Sequence, residues 1–184
     1  MKAANFEYLR PASLTEALSA LAGAAGSAKV MGGSQSMGPM LNLRLTRPKL
    51  VVDVSALPEL REVAQDGGAI RIGAAVTHAE IEDGVHPLLR GSMLQAIAGG
   101  IAYRAIRNRG TIGGSLAHAD PAADWVLAMA ALGAQIEIAG AVGSRRVPMD
   151  RFMQGAYTTA LADDELIAAV HVPALSDAAR WGYH

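Results

Sequence analysis

Arg107-Asn108-Arg109-Gly110-Thr111-Ile112-Gly113-Gly114-Ser115-Leu116-Ala117-His118-Ala119-Asp120-Pro121-Ala122-Ala123-Asp124 is the stretch whose reading decides the fold. Its centre, Thr111 to Ser115, reads as a paired-glycine turn. A second such turn, Val30-Met31-Gly32-Gly33-Ser34-Gln35-Ser36, follows an apolar stretch that reads as a strand. Glycine tolerates positive φ and lets backbone N–H groups approach a ligand, so each turn can surround an anion with amide donors. One such turn alone is better read as a tight bend. Two, far apart in the chain, suggest distant segments closing on one phosphorylated ligand.

Other phosphate motifs are excluded. Neither turn reads G-x-x-x-x-G-K-[ST], and no lysine follows closely, so a P-loop NTPase is not indicated. Neither gives G-x-G-x-x-G with an acidic residue about twenty positions on, so the Rossmann fingerprint fails too. After the second turn, Asp120 and Pro121 predict a helix start, with Asp at the N-cap and Pro at N1, running to Leu132 and Gly133. Asp124 then falls one turn in. It reads equally as a first-turn carboxylate favoured by the helix dipole or as an acceptor for ligand hydroxyls.

These two stretches carry a family resemblance. Gly32-Gly33-Ser34-Gln35-Ser36-Met37-Gly38-Pro39-Met40-Leu41-Asn42-Leu43-Arg44-Leu45 resembles the first FAD loop of the molybdenum hydroxylase flavoproteins, the medium subunits of carbon monoxide dehydrogenase-like and xanthine dehydrogenase-like enzymes. Arg107 to Asp124 resembles their second loop, and Thr158-Thr159-Ala160-Leu161 a third, shorter element near the flavin. The likeness runs from Pro11 to Pro173.

The resemblance implies an α+β fold of the PCMH (vanillyl-alcohol-oxidase-like) type with two FAD-gripping subdomains. The first is a small N-terminal α/β unit, residues 1–57, and the second, residues 58–176, has a larger mixed or antiparallel sheet with helices. Residues 177–184 would begin the further C-terminal domain that family members usually carry and this chain lacks. Gly32, Gly33, Ser34, Gln35 and Ser36, with Thr111, Gly113, Gly114 and Ser115, would contact pyrophosphate and ribityl oxygens. Asp124 would bind ribityl or ribose hydroxyls, Ile101 and Leu161 would pack near the ring systems, and Met31 would line the cofactor. The implied function is an FAD-binding electron-transfer subunit with no acid, base or nucleophile of its own. It would pass electrons from [2Fe–2S] clusters on a small iron–sulfur subunit through FAD to an external acceptor. Molybdopterin would lie on a large subunit. His184 would sit where the resembled family often places a basic residue close to the flavin.

Composition agrees with that division of labour. The chain has 184 residues and no cysteine, so it offers no disulfide, thiolate nucleophile or Cys ligands for a cluster. Sixteen basic against 17 acidic residues give no electrostatic footprint for nucleic acid, and 4% aromatics leave few stacking platforms for single strands. No apolar run reaches membrane-spanning length, and Glu7 with no apolar core after it argues against a signal peptide, pointing to a cytoplasmic protein. His118 and Asp120 lack a third ligand at metal-like spacing, so no metal site is expected. The eight methionines read as adaptable packing.

Coarse structure reads as follows. Ser13 to Glu16 and Thr77 to Glu80 are capping boxes opening helices, the first ending at Gly23. Strands are expected at 29–31, 50–54, 69–72 and 166–172, a helix at 87–99, and a hairpin of 135–139 with 145–148 about 140–144. A seam at 56–62 would put one glycine pair on each side. Arg107 and Arg109 read as exposed loop residues, and His78, His86 and His171 as structural or exposed. Two other functions remain open on sequence alone: a cofactor-free scaffold subunit, which would be colourless, and a stand-alone PCMH-type reductase or oxidase, which would need a substrate site of its own.

Overall fold

Leu50-Val51-Val52-Asp53 is a short apolar run closed by an acid, a pattern suited to a strand with neighbours on both sides. In the computed structural model, which describes residues 2–174 and 180–182, it is the middle of a parallel sheet. That sheet contains β1 (Glu7–Leu9), β2 (Ala28–Met31) and β3 (Leu50–Asp53), with β3 between the other two. Between β1 and β2 runs α1 (Leu14–Gly23), whose Ala17 and Leu21 bury against Val52 and Val54. Ser13 Oγ accepts the Glu16 N–H at 3.2 Å, but the Glu16 carboxylate reaches Ala12 N–H at 2.7 Å. The expected box is therefore shifted by one residue on its return arm. Met31 pairs with Asp53, so β2 and β3 end side by side and the first glycine pair leaves from the carboxyl edge of the sheet. In parallel sheets that edge is where ligands bind. The loop leads into α2 (Met37–Asn42).

The second sheet is antiparallel and five-stranded. Its strands are β4 (Val63–Asp66), β5 (Ala69–Gly73), β6 (Gln135–Gly140), β7 (Gly143–Pro148) and a last strand, Leu166–Pro173, numbered β10 because β8 (Met153–Gly155) and β9 (Thr158–Thr159) form a separate small pair. The order is β4-β5-β10-β6-β7. Central β10 is buried from Leu166 to Val172 and carries a register shift between Ile167 and Ala169. Ile167, Val170 and Val172 pack with Ile72, Ile136, Ile138, Trp125 and Phe152. Leu166 and Ala168 instead join Val52, Leu57 and Leu60 in a second cluster. One strand thus feeds both cores, and the second core spans the two sheets. Around the larger core lie α3 (His78–Glu82), α4 (Met93–Gly100), α5 (Arg104–Arg107), α6 (Ile112–His118), α7 (Asp124–Ala131) and α8 (Met149–Phe152).

Several local expectations change. The helix expected at 87–99 is split: Pro87–Leu89 is an isolated 3₁₀ turn, Gly91 adopts φ +66°, and Ser92 caps α4 afresh. The expected hairpin turn tightens to two residues, Ala141 and Val142. The helix expected from Asp120 begins at Asp124, because Asp120 Oδ1 accepts the Ala122 N–H at 2.9 Å and closes a local turn instead. The second glycine pair is no turn at all. Gly113 and Gly114 are the first turn of α6, with Thr111 as its N-cap accepting the Gly114 N–H at 3.1 Å. The Thr77 box forms as expected. The expected onset of a further domain at 177–184 falls outside the described residues except for 180–182, and His184 lies outside them altogether.

Candidate functional site

The two glycine pairs meet. A Cβ at Gly32 would stand 2.7 Å from Thr111 Oγ1, and one at Gly33 only 1.7 Å from the Arg109 carbonyl oxygen. Gly33 therefore lies flat against the backbone of the second loop, and no other residue leaves room for that approach. Gly114 approaches Thr111 Oγ1 from the other side, again at 2.7 Å for a Cβ. Thr111, only 3% exposed, is the post between the loops.

Their backbone donors are deployed differently. In the second loop the N–H groups of Ile112, Gly113, Gly114 and Ser115 bond to Val76 O, Ala74 O, Thr111 Oγ1 and Thr111 O. In the first, none of the N–H groups from Gly32 to Ser36 donates a hydrogen bond to another group among the described residues. Five successive amides at a sheet's carboxyl edge are donors that an anion can use. Gln35 Nε2 donates to Gly33 O at 2.8 Å, and Ser34 is held at φ +62°, so the loop is shaped without using its amides. Ser36 begins α2 without a side-chain cap.

Buried groups support this junction from beneath. His78 N–H donates to Gly110 O at 2.9 Å, and a Cβ at Gly110 would strike the His78 ring at 2.8 Å. Trp125 Nε1–H donates to His78 Nδ1 at 3.0 Å. Burial pushes the His78 pKa down to about 4, with the Asp124 carboxylate opposing the shift, so the ring is a neutral acceptor. Arg107, expected on a solvated loop, is a clamp: its side chain is 12% exposed, pairs with Glu82 at 2.8 Å, and donates to Ile101 O and Ala102 O. Hydrogen bonding from Arg107 holds the Glu82 carboxyl below its ordinary value. At the edge of the first sheet the Tyr8 hydroxyl donates to Asp53. Burial opposes ionisation of Asp53, yet the bonds from Tyr8 and Ser55 outweigh it and lower its pKa.

The remaining expected residues lie on several separate elements. Met31 ends β2, Ile101 caps α4 and packs on the larger core, and Asp124 opens α7. Leu161 follows β9, its N–H bonded to Thr159 Oγ1 at 3.3 Å, and packs on the same core. The Tyr157 N–H donates to Ala119 O at 2.8 Å and ties the third element to the end of α6. No hydrogen bond joins Ile101 or Leu161 to either glycine loop among the described residues.

Among the described residues the non-glycine positions with left-handed backbone are Ala25, Ser34, Arg44, Ala102, Ala119 and Tyr157, of which Ser34 lies within the first glycine loop. Each costs about 1–2 kcal/mol relative to right-handed backbone, and such strain concentrates at functional sites. An open groove of about 490 Å³ lies away from the junction, bordered by Asp66, Arg71, Glu137 and Arg146. These four charges are used on one another: Arg71 pairs with Glu137 at 3.1 Å and Arg146 with Asp66 at 2.8 Å. Buried His171 holds Nε2 2.6 Å from Glu137, and Nδ1 3.0 Å from Asp66 without hydrogen-bond alignment. The glycine junction, with unused donors, is the better ligand site. Among the described residues no cluster of three or more His, Asp or Glu could hold a metal ion, and no helix is long and apolar enough to cross a membrane.

Comparisons with known proteins agree with this fold. The model of the FAD binding domain in molybdopterin dehydrogenase matches residues 4–175. The nicotine 6-hydroxylase medium subunit of Paenarthrobacter nicotinovorans is 37% identical over 183 residues, covering 100% of this chain and 64% of the relative. The carbon monoxide dehydrogenase medium chain of Hydrogenophaga pseudoflava is 35% identical, with 97% and 62% covered. Among solved structures, quinoline 2-oxidoreductase from Pseudomonas putida 86 superposes with a TM-score of 0.89 at 39% identity, covering 94% of this chain and 60% of that one. The chain thus spans about three fifths of the length of these relatives. With its mixed α+β architecture, residue match and paired-loop junction, the chain belongs to the family of FAD-binding domains of molybdopterin dehydrogenases.

Proposed function

We propose that this chain holds FAD at the junction of its two glycine loops and serves as the flavin-binding part of a molybdenum-containing hydroxylase or dehydrogenase. The observation that carries the reading is the row of unbonded amides from Gly32 to Ser36, set against Thr111 and the rigid start of α6. A pyrophosphate needs several donors, and amides held in one loop supply them without reorganisation on binding. Residues 1–57 and 58–176 act as the two jaws, with Thr111 where they close. Gly32 to Ser36 bind the pyrophosphate; Thr111, Gly113, Gly114 and Ser115 form the opposing wall, with the Ser115 hydroxyl toward ribityl oxygens. Asp124 accepts from ribityl or ribose hydroxyls, Ile101 and Leu161 pack against ring systems, and Met31 lines the strand end.

When bound, FAD supplies reversible acceptance of electrons. The chain's own residues bind, orient and shield it; none moves a proton or forms a covalent bond. With no cysteine to ligate a cluster, electrons arrive from [2Fe–2S] centres on a small iron–sulfur partner. Substrate oxidation belongs to a large molybdopterin partner, and the assembly works in the cytoplasm. The test is an absorption spectrum of the purified chain after FAD addition and desalting. Retained flavin bands, with FAD released on denaturation, support the reading. A folded, colourless protein with no affinity for FAD overturns it in favour of a scaffold subunit.

A further inference from the structure

We infer that Arg61 is a positioning residue: its guanidinium clasps the first unit to the second and so sets the spacing of the two glycine loops. This role rests on the FAD reading above and names what holds that site at its working width.

Arg61 follows the 3₁₀ turn Pro58–Leu60, where the chain crosses from the first sheet to the second. Its backbone is anchored on the second side. Gly73 N–H donates to Glu62 O and Ala75 N–H to Leu60 O, both at 2.8 Å. From there the side chain reaches back. Nη1 donates to Ser55 O at 3.2 Å and to Ala75 O at 3.4 Å, and Nη2 donates to Glu80 Oε1 at 2.5 Å. Ser55 lies two residues beyond Asp53, the register partner of Met31, and its N–H is bonded to Asp53 Oδ1 at 3.0 Å. It therefore continues the strand end beside which the first glycine loop leaves.

Glu80 carries the connection to the second loop. Its other oxygen accepts the Thr77 N–H at 2.8 Å and the Thr77 hydroxyl at 2.9 Å, and Thr77 forms an antiparallel bridge with Thr111. Thr111 is the residue that meets Gly32. One side chain thus links the edge that bears the first loop to the post beside the second.

Arginine suits this place because its planar fork holds a carbonyl and a carboxylate at once, in fixed directions. The core that Val52, Leu60, Ala75 and Leu166 form beneath it holds the sheets together without directionality. The Arg61 side chain is 37% exposed, so its ion pair with Glu80 adds little to global stability. Its loss should widen the range of loop spacings far more than it unfolds the chain. Affinity then falls in proportion to the share of molecules at the working spacing.

The test uses the full chain as parent, Arg61→Ala, Arg61→Lys and Glu80→Gln, the last of which keeps an acceptor for the Thr77 cap. The protein has no cysteine, so Leu45→Cys and Tyr103→Cys, both at exposed positions, give one spin label on each side. The distance distribution between labels should be narrow in the parent, broad in Arg61→Ala and Glu80→Gln, and intermediate in Arg61→Lys, with unfolding midpoints close to the parent. Without labels, FAD should bind about tenfold more weakly to Arg61→Ala and about threefold more weakly to Arg61→Lys. A parental distance distribution in Arg61→Ala overturns the clasp. So does parental FAD affinity, which would leave the spacing immaterial to the ligand. Should Arg61→Ala fail to fold, Glu80→Gln decides on the same two readouts. A parent chain that binds no FAD instead overturns the site reading, while the distances still decide whether Arg61 sets the spacing.

Discussion

The first glycine pair is a loop with its amides unused, whereas the second is the opening turn of a helix with its amides all engaged. The same dipeptide thus solves two problems. Gly32 and Gly33 let one backbone lie against another while donors stay free for a ligand. Gly113 lets a helix lie against a strand end: a Cβ there would come within 2.4 Å of Ala74 Cβ. A paired-glycine motif therefore does not by itself mean an anion nest. What decides is whether neighbouring groups, here Thr111 and the carbonyls of Val76 and Ala74, have already taken the donors.

The widest separation between the two regions should come from adding one methyl group. Gly33→Ala drives a carbon into the Arg109 carbonyl and has no flexible neighbour to yield. It should cost about 3 kcal/mol or more in unfolding free energy and abolish flavin retention, beyond ordinary overpacking. Gly113→Ala meets Ala74 and should cost about 1–3 kcal/mol, with FAD affinity falling only as far as the helix shifts. Urea unfolding and FAD titration on the same samples check both. Equal losses of binding at equal stability would erase the distinction drawn here.

Acid should separate the regions next. His78 lies under the second loop and is neutral, with its pKa lowered from 6.5 to about 4 by burial. Below pH 6.5 the unfolded chain takes up a proton that the folded chain refuses. Stability is therefore full above that pH and falls as pH drops toward 4, by about 3 kcal/mol in all. Asp53, beside the first loop, also has a lowered pKa, so its contribution persists through this window and fades only at still lower pH. Unfolding midpoints from pH 7 to 4 should decline in the parent and flatten in His78→Gln. A parent with no such slope would remove His78 from its supporting role.

These contrasts explain what was legible in the chain. Caps at Ser13 and Thr77, the apolar run of β3 and the hairpin of β6 and β7 are local patterns and emerge nearly as read. Asp120-Pro121 misleads because the same side chain that caps a helix also closes a local turn, and proline suits both. The helical state of Gly113-Gly114 is set by Thr111 capping and by contact with Ala74, which is tertiary and opposes glycine's own propensity. The apposition of the loops was suggested by the recurrence of the glycine pair and made specific by family resemblance. The His78–Gly110 support and the Tyr157–Ala119 bond join segments with no shared sequence signal, and no pattern announces them.

The subtlest test lies within the second pair. Gly114 is exposed, and a Cβ there would meet only Thr111 Oγ1, the oxygen that caps its own helix. Alanine gains helix propensity of about 1 kcal/mol over glycine, while displacing the cap forfeits about as much. Gly114→Ala should therefore leave the unfolding free energy within about 0.5 kcal/mol of the parent. Its methyl group would still project into the wall facing the Gly32–Ser36 amides, so FAD should bind several-fold more weakly. Threonine at Thr111 cannot then hold both its cap and its contact with Gly32, and Gly114→Ala with Thr111→Ser should recover part of the affinity. If Gly114→Ala binds FAD as the parent does, the second glycine pair is purely a packing device, and ligand recognition belongs to the first loop alone.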